Sequence, residues 1–368
     1  FLLVKRDEKI LVRKNLVDAA WIVGLGVLGV LLAGGPSLLI GFQPSLQWPA
    51  SRFTLPFLFG VSLVYGGVIG AIPWEKIRIV FLVSLISLAA GKQYLNARDY
   101  QQDWVTQKEL FWQMTWRAPG IKSDTVVLLN EGPLNYYADN SLGAAMNWIY
   151  APDNHSKHVD YVLFYPKTRL HNVLSELKTG IPISYDYLAA QFNGNTSQTL
   201  AMYYVPPGCL RILDSDIEHL NRLIPETSLM RFASSISDPN LIVNEQHAKM
   251  PAIYGPEPEH DFCYYFEKAD LARQFKDWDS VVKFGDSALA LKDHPFDPAE
   301  QFVFIEGYAH AGEWKRAVDL SSRTYEVSSQ VTGPMLCRLW RRIGAETAPS
   351  LGRSAAQSKT QVLFGCNP

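Results

Sequence analysis

This 368-residue chain contains no methionine before Met114. An open reading frame begins with one, so the expectation is a truncated chain whose start lies upstream. A cleaved signal peptide is the alternative, but it would leave a polar mature start rather than a basic tail leading into apolar sequence. Cysteine is scarce: Cys209, Cys263, Cys337 and Cys366 are the whole set, and no CxxC occurs, which argues against a zinc ribbon. There is no Gly-rich phosphate loop, no GxSxG and no HExxH. A formal net charge of −2 argues against nucleic acid as a partner.

Charge is also missing from two long stretches. Residues 19–42, "AAWIVGLGVLGVLLAGGPSLLIGF", carry none, and neither do the 22 residues 53–74. Crossing a bilayer core takes about 20 apolar residues in a helix. Spans are therefore expected at about 19–42 and 53–72, with Trp21 as an interfacial aromatic and Pro56 in the first turn of the second. Gly24, Gly26 and Gly29 suit close helix packing in lipid. A third apolar run, 79–91, has only 13 uncharged residues. It spans, as 79–95, if Arg78 and Lys92 snorkel outward; otherwise it is re-entrant or buried, and the rest of the chain stays in the cytosol. Lys5, Arg6, Lys9, Arg13 and Lys14 place the amino-terminal tail in the cytoplasm. Counting spans puts the loop ending at Arg52 outside, the turn at 73–78 inside, and everything after residue 95 outside.

The chain beyond residue 95 is expected to fold in water. Residues 96–120 read as a membrane-proximal amphipathic helix, with Trp104, Lys108, Phe111 and Trp112 at helical spacing. It lies on the membrane surface or packs on the next domain. Residues 121–235 read as a small α/β domain of about four strands. Its strands are 124–130 and 159–166, its helices 139–151 and 168–180, and a hairpin turns at "NGNTS". After a Pro/Gly-rich loop at 236–260, residues 261–346 become helical. "LARQFKDWDSVVKFGDSAL" (271–289) and "GYAHAGEWKRAVDLSSRTY" (307–325) align at an offset of 36, close to the 34-residue period of tetratricopeptide (TPR) repeats. "DHPFDPAE" reads as their linker, and two ordinary helical hairpins are the alternative. Two copies fall short of the three or so that a free-standing array needs. The tail 347–368 is polar and expected to be flexible. The fold class is therefore a membrane α-helical segment of two to three spans, an extracytoplasmic α/β domain, and a carboxyl-terminal α-helical hairpin, TPR-like region.

Candidate functional residues are few. Loops at strand ends bind ligands in α/β sheets, and "NEGPLNYYADNS" offers Glu131, Tyr136, Tyr137 and Asp139, a set that would suit a sugar. Asp139 or Asn140 could equally cap the helix that starts there. His155 and His158 lack a third metal ligand, and no metal set is read from the sequence. All four cysteines fall in the part placed outside. Cys209 and Cys263 lie at element edges and are the disulfide expected if one forms; four free thiols are the alternative. Asn154 and Asn195 head formal glycosylation sequons. Arg52 sits at the outer water–lipid boundary, either as an interfacial anchor or as a phosphate-binding fork.

"SRFTLP" (51–56), running into a membrane helix, resembles the Arg-[Phe/Tyr]-x-Leu-Pro element found late in the membrane part of GT-C glycosyltransferases of the protein-mannosyltransferase type. The resemblance implies sugar transfer from a polyprenyl-phosphate sugar at the extracytoplasmic face, with Arg52 near the lipid phosphate. It also implies catalytic acidic residues in a first outer loop far upstream, so none can be carried onto this chain. A divalent metal in the full-length enzyme is compatible with it. The fragment alone is expected not to catalyse. The rival is a non-enzymatic membrane-anchored scaffold or binding protein. The expected partners are the lipid bilayer, a polyprenyl-phosphate sugar, and a protein docking on the helical hairpins.

Overall fold

The computed structural model describes residues 2–46, 48, 50–187, 189–292 and 295–366, with residues 2–14 described by backbone alone. The side chains of Lys5, Arg6, Lys9, Arg13 and Lys14, on which the orientation argument rests, lie outside the described residues. The chain divides into two compact units, Phe1–Asp103 and Trp104–Pro368, each described by itself.

The first unit is helical. α1 runs Leu2–Leu39, α2 Phe57–Ala71 and α3 Glu75–Arg117. Two of these have segments long and apolar enough to cross a membrane, Asn15–Leu39 and Glu75–Arg117. α2 begins only after Pro56, and its 15 residues rise about 22 Å at 1.5 Å each, short of a hydrocarbon core of about 30 Å. The second stretch is thus shorter as a helix than its uncharged run, because residues Ala50–Thr54 form a separate 3₁₀ turn. The third is far longer than its apolar run. No Gly or Pro occurs between Gly91 and Pro119, so nothing breaks the helix, and the expected amphipathic segment at 96–120 is the continuation of α3.

α1 and α2 meet through small residues. A Cβ on Gly60 would lie 2.6 Å from Val30 N, one on Gly26 2.7 Å from Gly60 O, and one on Gly67 2.9 Å from Ala19 O. Only hydrogen fits at these points, so the backbones touch. Apolar side chains elsewhere on these helices are bare: Trp21 and Leu31 of α1 are 70% and 66% exposed, Phe59 of α2 is 73% exposed, and so is Leu88 of α3, at 73%.

The second unit centres on a four-stranded sheet. The chain forms β1 (Gly120–Ile121), β2 (Thr125–Leu129), α4 (Asp139–Tyr150), β3 (Tyr161–Phe164), α5 (Pro166–Arg169), β4 (Pro182–Asp186), β5 (Gln191–Asn195), β6 (Thr199–Tyr203), β7 (Arg211–Ile212), α6 (Met230–Ala233) and β8 (Ile242–Val243). The sheet order is β3-β2-β6-β7, with β2 parallel to β3 and β6, and β7 antiparallel. Strand alternation sends Val127 and Leu129 to one face, with Met146 and Ile149 of α4 and Phe111 and Met114 of α3. Val126 and Leu128 face the other way, toward Phe192, Ile183 and Met230. The sheet is therefore buried on both sides, and the aromatic end of α3 packs into its core.

Two local expectations fail here. Residues 168–180 are not a helix: α5 stops at Arg169, His171 turns left-handed (φ 64°), and its amide donates to Leu174 O at 2.7 Å. The hairpin does not turn at "NGNTS". β4 and β5 pair from Pro182–Asn195 to Asp186–Gln191, so the strands reverse after Asp186 and before Gln191. Asn195 instead caps a 3₁₀ turn by accepting from Ser197 N.

Six helices complete the unit: α7 (Phe262–Gln274), α8 (Trp278–Ala290), α9 (Phe302–His310), α10 (Trp314–Val327), α11 (Ser329–Glu346) and α12 (Leu351–Phe364). They form three consecutive hairpins. Lys276 (φ 60°) and Gly312 (φ 78°) occupy equivalent left-handed turns, 36 positions apart. Residues 293 and 294 of the linker lie outside the described residues; the rest enters a 3₁₀ turn under a capping box made by Asp297 and Glu300. The tail is not an open coil. Ser350 accepts from Arg353 N to start α12, Ala356, Thr360 and Phe364 are buried at four-residue spacing, and Cys366 bonds Cys337. Ion pairs tie these helices to the sheet region: Arg117 of α3 with Asp270 of α7, Arg211 of β7 with Asp297, and Arg342 of α11 with Asp214.

Candidate functional site: the crevice at the strand ends

From β2 the chain turns through α4 to β3 on one side, then returns to β6 on the other. Where that direction reverses, the carboxyl ends of adjacent strands part and leave a crevice, the usual ligand position in such sheets. Here Asn130 bridges the parting: its Nδ2 donates to Tyr204 O at 2.8 Å and its Oδ1 accepts from Tyr204 N at 2.7 Å. Beyond it opens a crevice of about 780 Å³, lined by Glu131, Pro133, Lys167, Tyr203, Pro206 and Leu223 among others. Lys167 is exposed and has no acidic partner among the described residues. Tyr203 is half-buried, and burial raises its pKa despite Arg211 nearby. One cation, a phenol and apolar walls can hold a polar molecule with an apolar face.

Of the four residues singled out in the loop, only Glu131 reaches this crevice, and it is already engaged. Its Oε1 accepts from both the amide and the hydroxyl of Thr168 at 2.8 Å. Asp139 is turned inward. Arg169 grips it in a bidentate fork, Nε to Oδ2 at 2.6 Å and Nη2 to Oδ1 at 2.7 Å. The hydrogen bonding that Arg169 donates to Asp139 is the chief reason its pKa is raised. The guanidinium also lies 4.9 Å from the Tyr185 ring. Nor is Asp139 or Asn140 the cap: Ala138, in extended backbone, holds that position, and Asp139 is the first helical residue, its Oδ1 also accepting from Asn140 N at 2.8 Å. Tyr136 and Tyr137 are half-buried and engaged within the protein, Tyr137 against the core below α4. The pattern misled because a carboxylate that opens a helix looks the same in sequence whether it faces a ligand or a buried arginine. Lys167 and Tyr203 were missed. Their signal was position: Tyr203 ends β6, and Lys167 follows the end of β3 by three residues.

Arg52 lies in the other unit, exposed on the turn Ala50–Thr54. Its guanidinium carbon is 5.0 Å from the Phe53 ring centre, and Phe53 meets Phe42 edge-on at 4.7 Å. No carboxylate pairs with it among the described residues. His158 Nε2 is 2.7 Å from Asp124 and His155 is exposed, so the two histidines converge on no metal position. Asn154 accepts from Ser156 N and donates to His158 O.

Compared with protein families, curated proteins and solved structures, the chain matches none.

All four cysteines are paired, Cys209 with Cys263 and Cys337 with Cys366. The first bond joins the segment before β7 to α7. Beside it, Glu300 accepts from Cys209 N at 2.8 Å, and burial pushes its carboxyl up to about 7 against that bond and Arg211.

Proposed function

We propose that this chain is the carboxyl-terminal part of a GT-C type membrane glycosyltransferase-like protein. It would draw its sugar from a polyprenyl phosphate at the extracytoplasmic face, with its catalytic carboxylates encoded upstream. The observation that carries the reading is Arg52: an exposed guanidinium without an acidic partner among the described residues, on a short turn between two apolar helices, within the "SRFTLP" element. A guanidinium fork matches phosphate oxygens, and at the interface its charge costs little. The bare apolar faces of α1 and α3 support lipid as their solvent, and the small-residue contact of α1 with α2 is the packing lipid favours. Two disulfides support an oxidising compartment for the region from Trp104 onward. In the full-length protein, Arg52→Ala is expected to lower transfer roughly ten-fold or more at limiting lipid donor, the scale of a lost charged hydrogen bond, with normal expression. Unchanged turnover removes Arg52 from the mechanism.

A second reading, a membrane-anchored scaffold, is favoured by the engagement of Glu131 and Asp139 and by the three helical hairpins, which would act as a short TPR-like partner-binding array. The sequence upstream separates the two. Further apolar spans with an acidic pair in the first outer loop support the transferase, and a single short leader supports the scaffold.

A further inference from the structure

The helical hairpins hold a side-chain cluster that neither reading uses. Glu306 and His310 lie one turn apart on α9, so both project from one face. Glu346, in the last turn of α11, comes up against them. One ligand atom from each of the three lies within 4.8 Å of the others. Glu306 is 2% exposed, His310 10% and Glu346 47%. The decisive group is His310. Its Nε2 is buried and has no hydrogen-bond partner; Glu346 Oε2, at 3.6 Å, is beyond hydrogen-bond reach. Buried polar groups ordinarily have partners, so an unsatisfied nitrogen between two carboxylates calls for one. The ring is fixed by stacking on Trp278, with centroids 3.6 Å apart and planes 4° off parallel.

We propose that Glu306, His310 and Glu346 bind a first-row divalent cation, zinc foremost, with water completing the coordination, and that the ion cross-links α9 to α11. One imidazole and two carboxylates form a zinc donor set of the open, three-ligand kind, and Glu306-x₃-His310 is the spacing that brings two ligands to one helix face. Bonds of about 2.1 Å require the donors to close by roughly 1 Å. Glu346, half-exposed at a helix end, is the one able to move. Arg342 donates to Glu306 Oε2 at 3.0 Å, which leaves Oε1 for the metal and orients the carboxylate from outside the coordination sphere. Asp214 shares the Arg342 charge. Calcium does not fit, because it takes six to eight oxygens. The sequence hid the set because Glu346 lies 36 positions beyond His310 and joins it only through the stacking of hairpins.

The test uses the full chain in detergent, stripped with chelator and titrated with Zn²⁺ alone. The proposal predicts a rise in apparent Tm of roughly 5–10 °C at a hundredfold excess over the dissociation constant. Ca²⁺ should give no rise. Glu346→Gln, at a half-exposed position, should keep the metal-free Tm and lose the Zn²⁺ response. Loading wild type with Co²⁺ should give visible ligand-field absorption that Zn²⁺ displaces, a readout independent of any variant. No Zn²⁺ response, an equal response in Glu346→Gln, or no Co²⁺ absorption overturns the site.

Discussion

Single buried charges decide much of the chemistry of the second unit. Asp139 and Arg169 satisfy one another in a nearly dry setting, so removing one strands the other. Asp139→Ala should destabilise this region by about 3–5 kcal/mol, read as a drop in the urea midpoint, since an uncompensated buried guanidinium is costly. Three further carboxylates set a pH profile. Burial alone would raise Asp270, but Arg117 and Arg273 hold it down to about 2. Its contribution is present above its unfolded value of 3.8 and is lost as the pH falls toward 2. Glu300, pushed up to about 7 by burial, acts in the opposite sense: the folded protein keeps a proton that the unfolded chain has released above 4.5. Stability therefore falls as the pH rises from 4.5 to 7, by about 3 kcal/mol from this group. Glu267 adds to the decline. It is buried, neither of its oxygens has a hydrogen-bond partner, and burial outweighs Arg117 in driving its pKa well up. Urea unfolding at pH 5 and pH 8 should show the more acidic sample to be the more stable. Glu267→Gln, equal in size but unable to ionise, should shrink that difference, and an unchanged difference would show that Glu267 does not titrate as argued.

Elements are held by contacts whose signals were in the sequence to unequal degrees. The glycines of α1 and α2 were legible as small residues for close packing, and the structure adds which ones touch. Gly60→Ala places a methyl against backbone atoms 2.6–2.7 Å away and should lower the detergent Tm by several degrees, at an overpacking cost of about 1–3 kcal/mol. Gly66→Ala, with nothing within 4 Å, should not. The tail shows a signal passed over: composition suggested an open coil, yet Ala356, Thr360 and Phe364 already carried helical spacing behind the cap residue Ser350. Cys366→Ser opens a 29-residue link, an entropy of roughly 3–4 kcal/mol in the chain-entropy account, so α12 should exchange its amides and be nicked by protease well before α11. The missing helix at 168–180 was less legible. Its apolar spacing is helical, and only the left-handed His171 and the commitment of Arg169 to Asp139 end it.

At the scale of the whole molecule, local pattern revealed the classes of structure and not the pairings that join them. Long uncharged runs marked the apolar helices and short apolar runs between turn residues marked the buried strands, because burial acts on each stretch separately. The crevice and the Glu306–His310–Glu346 cluster depend on which distant segments meet, and nothing local encodes that. The central proposal is that lipid surrounds α1, α2 and the apolar first part of α3, and that the disulfide-bonded region lies outside the cell membrane. The most direct test is labelling of His155→Cys, an exposed position, with a membrane-impermeant maleimide in intact cells. The account predicts full labelling without permeabilisation. Labelling that appears only after the membrane is opened would place this region in the cytoplasm and contradict it.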